Sequence, residues 1–354
     1  MEVSGVFRRH NESTSLGLRA GELVEVKSFD EILATLDEQG SLDGLPFMPE
    51  MLVFCGRRKR VVKRADKTCD TIDHKGGRAM TNAVHLEGIR CDGADHGGCQ
   101  AGCLIFWKES WLKRVGDAPD EQSAAPAAQP ERLPPSIARG ARRPGSGAAE
   151  TDIRYRCQTT ELNRATTPLS WWDVRQYVRE LMSGNITAGE LVRGLGFAGF
   201  RKLIEIGVGY RVLVALYNRM QRYRRRPSFP LRNGTLQETP TARLDLQPGE
   251  WVRVKSHEEI LATLDTNNKN RRLSFDVEMV RYCGGNFQVQ GRVNRIIEEK
   301  TGRMLRINHP CIILRDVYCR GEMSKYRLFC PRAIHHYWRE IWLERSDANI
   351  DSAG

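Results

Sequence analysis

The sequence holds no uninterrupted apolar run long enough to cross a bilayer. Its longest apolar stretch, near Leu203–Tyr217, is about fifteen residues and is broken by Arg211. Mean hydropathy is −0.49 and aromatics are only 8% of 354 residues, which excludes a polytopic membrane protein. The hydrophobic share of 40% in turn excludes wholesale disorder and leaves room for two or three domains. The opening MEVSGVFRRHNESTSLGLRAGE contains no apolar core of signal-peptide length. A cytoplasmic location is therefore expected, with the inner membrane surface as a peripheral alternative. There is no GxxxxGK[ST], no HExxH and no GxSxG, so a phosphate-cradling loop, a zincin helix and a nucleophile elbow are all missing. GLGFAG at 194–199 matches GxGxxG in letters, but it follows a helical pattern instead of a strand, which removes the dinucleotide reading.

What is present is repetition. GELVEVKSFDEILATLD at 21–37 returns as GEWVRVKSHEEILATLD at 249–265, including seven identical residues at a constant offset of 228. The offset also aligns Cys55 with Cys283, Leu86 with Leu314 and Cys91 with Cys319. A three-residue insertion then aligns Cys99 with Cys330 and WKESWLKR with WREIWLER. Two homologous units, 21–115 and 249–345, are expected. Each opens on alternating apolar residues that read as a strand, followed by a helix with Ser28 or Ser256 as N-cap and Glu31 or Glu259 completing a capping box. Short β-rich runs follow. The pairs Trp107/Trp111 and Trp338/Trp342 have i, i+4 spacing, which predicts a closing helix anchored in the core by its indoles. The fold class is α+β, each unit a short barrel or sheet with two helices.

Outside the units, residues 1–20 read as a tail. Residues 116–150 carry six of the fifteen prolines and no aromatic residue, the composition of a disordered linker. Residues 151–235 read as a basic helical segment: TTPLSWWDVRQYVRELMSGN predicts an amphipathic helix ending at Gly184, and 193–226 holds nine Lys/Arg against one acid. Arg219, Arg222, Arg224, Arg225 and Arg226, interleaved with Tyr217 and Tyr223, are candidate anion contacts for a membrane surface or nucleic acid, with Leu203, Ile204, Val212, Leu213, Val214 and Leu216 available to lipid.

Ten cysteines in a reducing compartment point to thiols or metal ligands. Zinc needs four N, O or S donors, and the first unit offers Cys55, Cys91, His96, Cys99 and Cys103, the last two on one face if helical. The second offers Cys283, Cys319, Cys330 and His335 or His336. Two zinc sites are expected, with iron or an iron–sulfur cluster, or inert buried thiols, as alternatives; the fourth ligand in each unit is open. The first unit has further polar chemistry near glycines, with Cys69, His74 and His96 as candidate catalytic residues of a metal- or thiol-dependent tailoring enzyme, and Cys157 returning after the linker to complete the site. A binding or accessory role with a protein partner is the leading expectation.

The segments GSLDGLPFMPEM, VHLEGIRCDGADHGGCQAGCLIFWKESWLKRV and FCPRAIHHYWREIWLER resemble a family of bacterial tandem-repeat, cysteine-containing proteins. The resemblance covers both units. It implies a bacterial cytoplasmic protein, an accessory in specialised-metabolite or surface-polysaccharide pathways, and supplies no residue roles.

Overall fold

In LVEV the residues Val24 and Val26 turn inward while their neighbours stay half exposed, and this alternation makes strand β1 (Leu23–Val26). The computed structural model describes residues 15–74, 76–116, 134–138, 142–144, 153–206, 210–223, 233–323 and 327–346. The serine after the strand starts helix α1 (Phe29–Leu33) with both hydrogen bonds of a capping box. Strands β2 (Arg58–Arg64), β3 (Lys67–Cys69), β4 (Gly77–Ala79), β5 (Ala83–Arg90), β6 (Leu104–Lys108) and β7 (Leu112–Arg114) complete the first half. Its main sheet is antiparallel, in the order β6-β5-β2-β1-β7. A small three-stranded sheet joins β3 and β4 to β8 (Thr167–Leu169). Helices α2 (Arg175–Met182), α3 (Ala188–Glu205) and α4 (Tyr210–Tyr223) follow. The second half has β9 (Trp251–Val254), α5 (His257–Leu261), β10 (Asn286–Ile297), β11 (Met304–Leu314) and β12 (Leu343–Arg345), in the order β11-β10-β9-β12. The molecule is α+β, two strand-rich sheets with a few helices.

The paired tryptophans are buried as expected, all four at 0% exposure, but they do not lie on a helix. Trp107 is on β6, and a 3-10 turn, Glu109–Trp111, leads directly into β7. The second half repeats this with the turn Glu340–Trp342 before β12, while Trp338 pairs with Ile312 in an isolated bridge. A strand residue and a residue one tight turn later can both face the core, which imitates helical spacing. The turn is held by a buried carboxylate. Glu109 accepts from the amides of Leu16 and Leu18 and from Arg64; Glu340 accepts from the amides of Leu244 and Leu246 and from Arg292. Trp111 donates to the Thr35 hydroxyl at 3.0 Å, and Trp342 to that of Thr263 at 2.9 Å.

These bonds move the expected boundaries. Residues 15–20 are not tail, because Leu18 lies in the first core and Ser15 to Leu18 wrap Glu109. Residues after 153 do not begin a separate helical segment either: Cys157, Leu162 and Ala165 complete the first core, and the Gln158 side chain bonds both the amide and the carbonyl of Phe106. Of the expected linker, 117–133, 139–141 and 145–150 lie outside the described residues, while Arg142–Pro144 pairs with Ile153–Tyr155. α2 is shorter than expected, starting only after Trp171 and Trp172, and the chain leaves it at Gly184 with φ 73°. The GLGFAG run lies inside α3. No described helix is long and apolar enough to cross a membrane.

Candidate metal centre

The 3-10 turn Pro49–Phe54 faces the core with Pro49 and Met51, and Glu50 is drawn inside with them at 8% exposure. Opposite it, β5 ends and the chain enters the loop Cys91–Cys103. This loop is not the helix that would have placed Cys99 and Cys103 on one face. It closes on itself through Cys91 N–H to Cys103 O (2.8 Å) and through the amides of His96 and Gly98, both donating to Gly93 O (3.0 and 2.9 Å). Gly93 has φ 70°, and a Cβ there would stand 2.0 Å from the Cys99 carbonyl oxygen, so the closure requires glycine.

The loop delivers Cys91 and His96 to Glu50, and the donor atoms of the three all lie within 4.8 Å of one another. Glu50 Oε1 is 2.5 Å from His96 Nδ1, accepts the Asp95 amide at 3.2 Å and is 4.0 Å from Cys91 Sγ. Glu50 Oε2 is buried without a hydrogen-bond partner among the described residues. His96, 1% exposed, is fixed from its other side, since Nε2 lies 3.1 Å from the Arg156 carbonyl oxygen. A carbonyl only accepts, so Nε2 carries the proton. A neutral imidazole in that tautomer turns its Nδ1 lone pair on a carboxylate. Something positive must sit between them, either a proton or a cation. Burial and the charge of Glu50 push the Cys91 thiol well up, so without a cation it keeps its proton.

A ring nitrogen facing a carboxylate and a thiol, with its far N–H anchored on a backbone carbonyl, is how a metal-ligating histidine is oriented. Tetrahedral zinc with bonds of about 2.0 Å holds nitrogen and oxygen donors about 3.3 Å apart, so binding requires Glu50 and His96 to separate by a little under an ångström.

The other expected ligands lie elsewhere. Cys55 is in the first hydrophobic core, where burial pushes its thiol up to about 11. Cys99 Sγ accepts the Ile297 amide at 3.4 Å. Burial pushes Cys103 up to about 12, and Cys157 is also raised by burial while its sulfur contacts the Thr159 hydroxyl at 3.1 Å. Cys157 does return after the linker to the neighbourhood of Cys91, Cys99 and Cys103, close enough for their charges to act on one another. In the second half, burial pushes Cys283 and Cys319 up to about 12 and holds His335 and His336 down at about 4, so both histidines are neutral. Cys330 meets Cys69 of the first half, not a second-half ligand. Among the described residues no further group of three such donors converges as Glu50, Cys91 and His96 do.

His74 is exposed in the turn between β3 and β4 at φ 56°, outside that group. Arg219 is exposed near the end of α4, and Arg222 belongs to the same helix; Arg224, Arg225 and Arg226 lie outside the described residues. Glu50 was missed by the sequence reading. One signal was available, because Glu50 and Glu278 recur at the offset of 228 in PEM and VEM. No protein-family description, no curated protein and no solved structure matches this chain.

Proposed function

We propose that this is a zinc-binding protein with a binding or accessory role, built from two copies of one duplicated unit, in which Glu50, Cys91 and His96 hold a single metal in the first copy. The mixed nitrogen, oxygen and sulfur donor set suits zinc, with iron as the other metal it would accept. The observation that carries the reading is His96 Nδ1 aimed at a buried carboxylate, 2.5 Å away, whose second oxygen has no partner among the described residues. A metal there joins three pieces of chain: the Glu50 turn, the glycine loop and, through His96 to Arg156, the segment that returns after residue 153. Its role in this reading is to close the first half and present a fixed surface to a partner. Zinc neutralises two acidic groups at once, the carboxylate and the thiol, in a place where burial otherwise keeps the thiol protonated.

The test is elemental analysis of untagged full-length protein. One zinc per chain is expected, lost in Glu50→Gln, Cys91→Ser and His96→Asn and retained in Cys55→Ser and Cys283→Ser. A wild-type protein that takes up no metal on equilibration with zinc, or Glu50→Gln retaining it, would sink the reading.

A second reading concerns partners. Helices α3 and α4 leave Val192, Val212, Leu216 and Tyr223 between 61% and 91% exposed, on the segment that carries the surplus of arginine. Such a face favours an anionic membrane surface, and sedimentation with phosphatidylserine vesicles, reversed by salt, is its expected behaviour.

A further inference from the structure

Strand β3 places two residues, Lys67 and Cys69, against the second half. Lys67 Nζ donates to the Leu328 carbonyl at 2.8 Å and lies 5.2 and 5.4 Å from the ring centres of Tyr177 and Phe329. Two residues on, the Cys69 amide donates to the sulfur of Cys330 at 3.2 Å, which brings the Cys69 thiol close enough to act on the same sulfur. The two cysteines are 261 positions apart in the chain. Arg332 is 3% exposed, with its guanidinium held by the Thr71 hydroxyl at 2.7 Å and by Glu299 Oε1 at 2.8 Å, so its charge is fixed beside both sulfurs. Cys330 is 7% exposed and lines a small open recess of about 20 Å³, room for about one water-sized molecule, together with Lys67, Trp171, Gln176, Arg327 and Leu328.

One sulfur that accepts a backbone amide beside a neighbouring thiol and a buried guanidinium, at the wall of a small recess, is arranged to be an anion. These contacts hold Cys330 below the ordinary thiol range, the bond from Cys69 contributing most. Cys69, donating to an anion while buried, is pushed well up. The pair is thus divided into a nucleophile and a proton-bearing partner, the asymmetry a reactive dithiol requires.

We propose that Cys330 and Cys69 form a redox site that reduces small hydroperoxides and closes a disulfide between the two halves of the molecule. The Cys330 thiolate attacks the distal oxygen of the hydroperoxide. A sulfur–oxygen bond forms, the O–O bond breaks, and the alkoxide or hydroxide leaves and takes a proton from solvent. Cys330 is now a neutral sulfenic acid, so the charge that held up the acidity constant of Cys69 is gone. Cys69 loses its proton and attacks the Cys330 sulfur; the S–S bond forms as hydroxide leaves and is protonated to water. The two sulfurs have lost two electrons and the peroxide has gained them. A dithiol reductant returns the pair to its starting state by exchange. The site uses none of the residues of the Glu50 centre.

The test treats reduced full-length protein with one equivalent of hydrogen peroxide, alkylates the remaining thiols and maps peptides without reduction. A Cys69–Cys330 linked peptide is expected from the wild type and equally from Glu50→Gln, which separates this proposal from the metal reading. In Cys69→Ser the reaction should stop at a Cys330 sulfenic acid that dimedone traps. Cys330→Ser should give neither product and consume peroxide at least tenfold more slowly. The proposal is overturned if Cys330 is alkylated in full after peroxide treatment of the wild type, or if Cys330→Ser consumes peroxide at the wild-type rate.

Discussion

The two halves bury a carboxylate beside a thiol in the same place and neutralise it differently. In the first, Glu50 accepts the Asp95 amide and faces Cys91; in the second, Glu278 accepts the Met323 amide and faces Cys319, each residue displaced by 228 positions. In both, the second carboxylate oxygen is buried with no hydrogen-bond partner among the described residues. The difference is the source of positive charge. Arg327 approaches Glu278 and Cys319, anchored on Asp276, and its guanidinium opposes the rise that burial and Glu278 impose on the Cys319 thiol. The first half has His96 at the corresponding place in the loop and no guanidinium among the groups acting on Cys91. A buried anion must be compensated by something: in the second half a fixed arginine does so, and in the first an imidazole stands in its place. The comparison teaches that the same buried carboxylate and thiol can be given different cationic neighbours, and the zinc proposed above would be the first half's.

The largest break in this comparison is expected at the carboxylates under the tryptophan turns. Glu109 accepts three amides, the Ser15 hydroxyl and Arg64, whereas Glu340 accepts two amides and Arg292. Glu109→Gln should cost about 3–5 kcal/mol in urea unfolding, and Glu340→Gln less, since fewer amides lose their carboxylate and Arg292 is more exposed than Arg64. Equal losses would mean that the second turn is held by something other than its carboxylate.

Acid should act next, and unequally. His85 is wholly buried in the first half, its Nδ1–H donating to the Ile105 carbonyl at 2.9 Å, and burial lowers it to about 4 from 6.5. The corresponding second-half residue is Ile313, but that half buries His335 and His336, both also lowered to about 4. An unfolded histidine takes a proton near its ordinary value while the folded one refuses it until about 4. The unfolded chain therefore binds more protons in that window, and stability is full above it and falls as pH drops through it. Each histidine should contribute roughly 1–3 kcal/mol of this loss. Unfolding measured from pH 7 to pH 4.5 should show the steeper decline in the second half, flattened by His336→Gln; a first half that is the more acid-sensitive would contradict the assignment.

The smallest effect should be the same in both halves. Ser28 and Ser256 make the same capping box, with Glu31 and Glu259 amides at 3.4 and 3.3 Å from the serine oxygens. Ser28→Ala should destabilise by about 1 kcal/mol and Ser256→Ala should match it. A difference would show that the short helices differ in how firmly their cores hold them.

What could be read from the sequence was local. The strand openings, the capping boxes and the burial of the four tryptophans follow from neighbours within a few residues, and each is present. The tryptophan spacing misled because a strand plus a 3-10 turn reproduces the separation of one helical turn. Glu50 was hidden in an otherwise apolar turn, since a single acidic residue there gives no periodic signal; only its return as Glu278 marked it. The cysteines were read as two ligand sets because spacing within a unit was the available guide, yet Cys69 and Cys330 meet across the halves.

The sequence by itself determined the α+β class, the strand and capped helix that open 21–37 and 249–265, and the burial of the four tryptophans, because hydrophobic period and capping are set by bonds a few residues long. Only the tertiary structure decided which thiols meet, that a carboxylate turns toward His96, and that a segment returning after residue 153 fixes that histidine. Those contacts join residues 46 to 261 positions apart, and no pattern along the chain encodes which buried charge will find which partner.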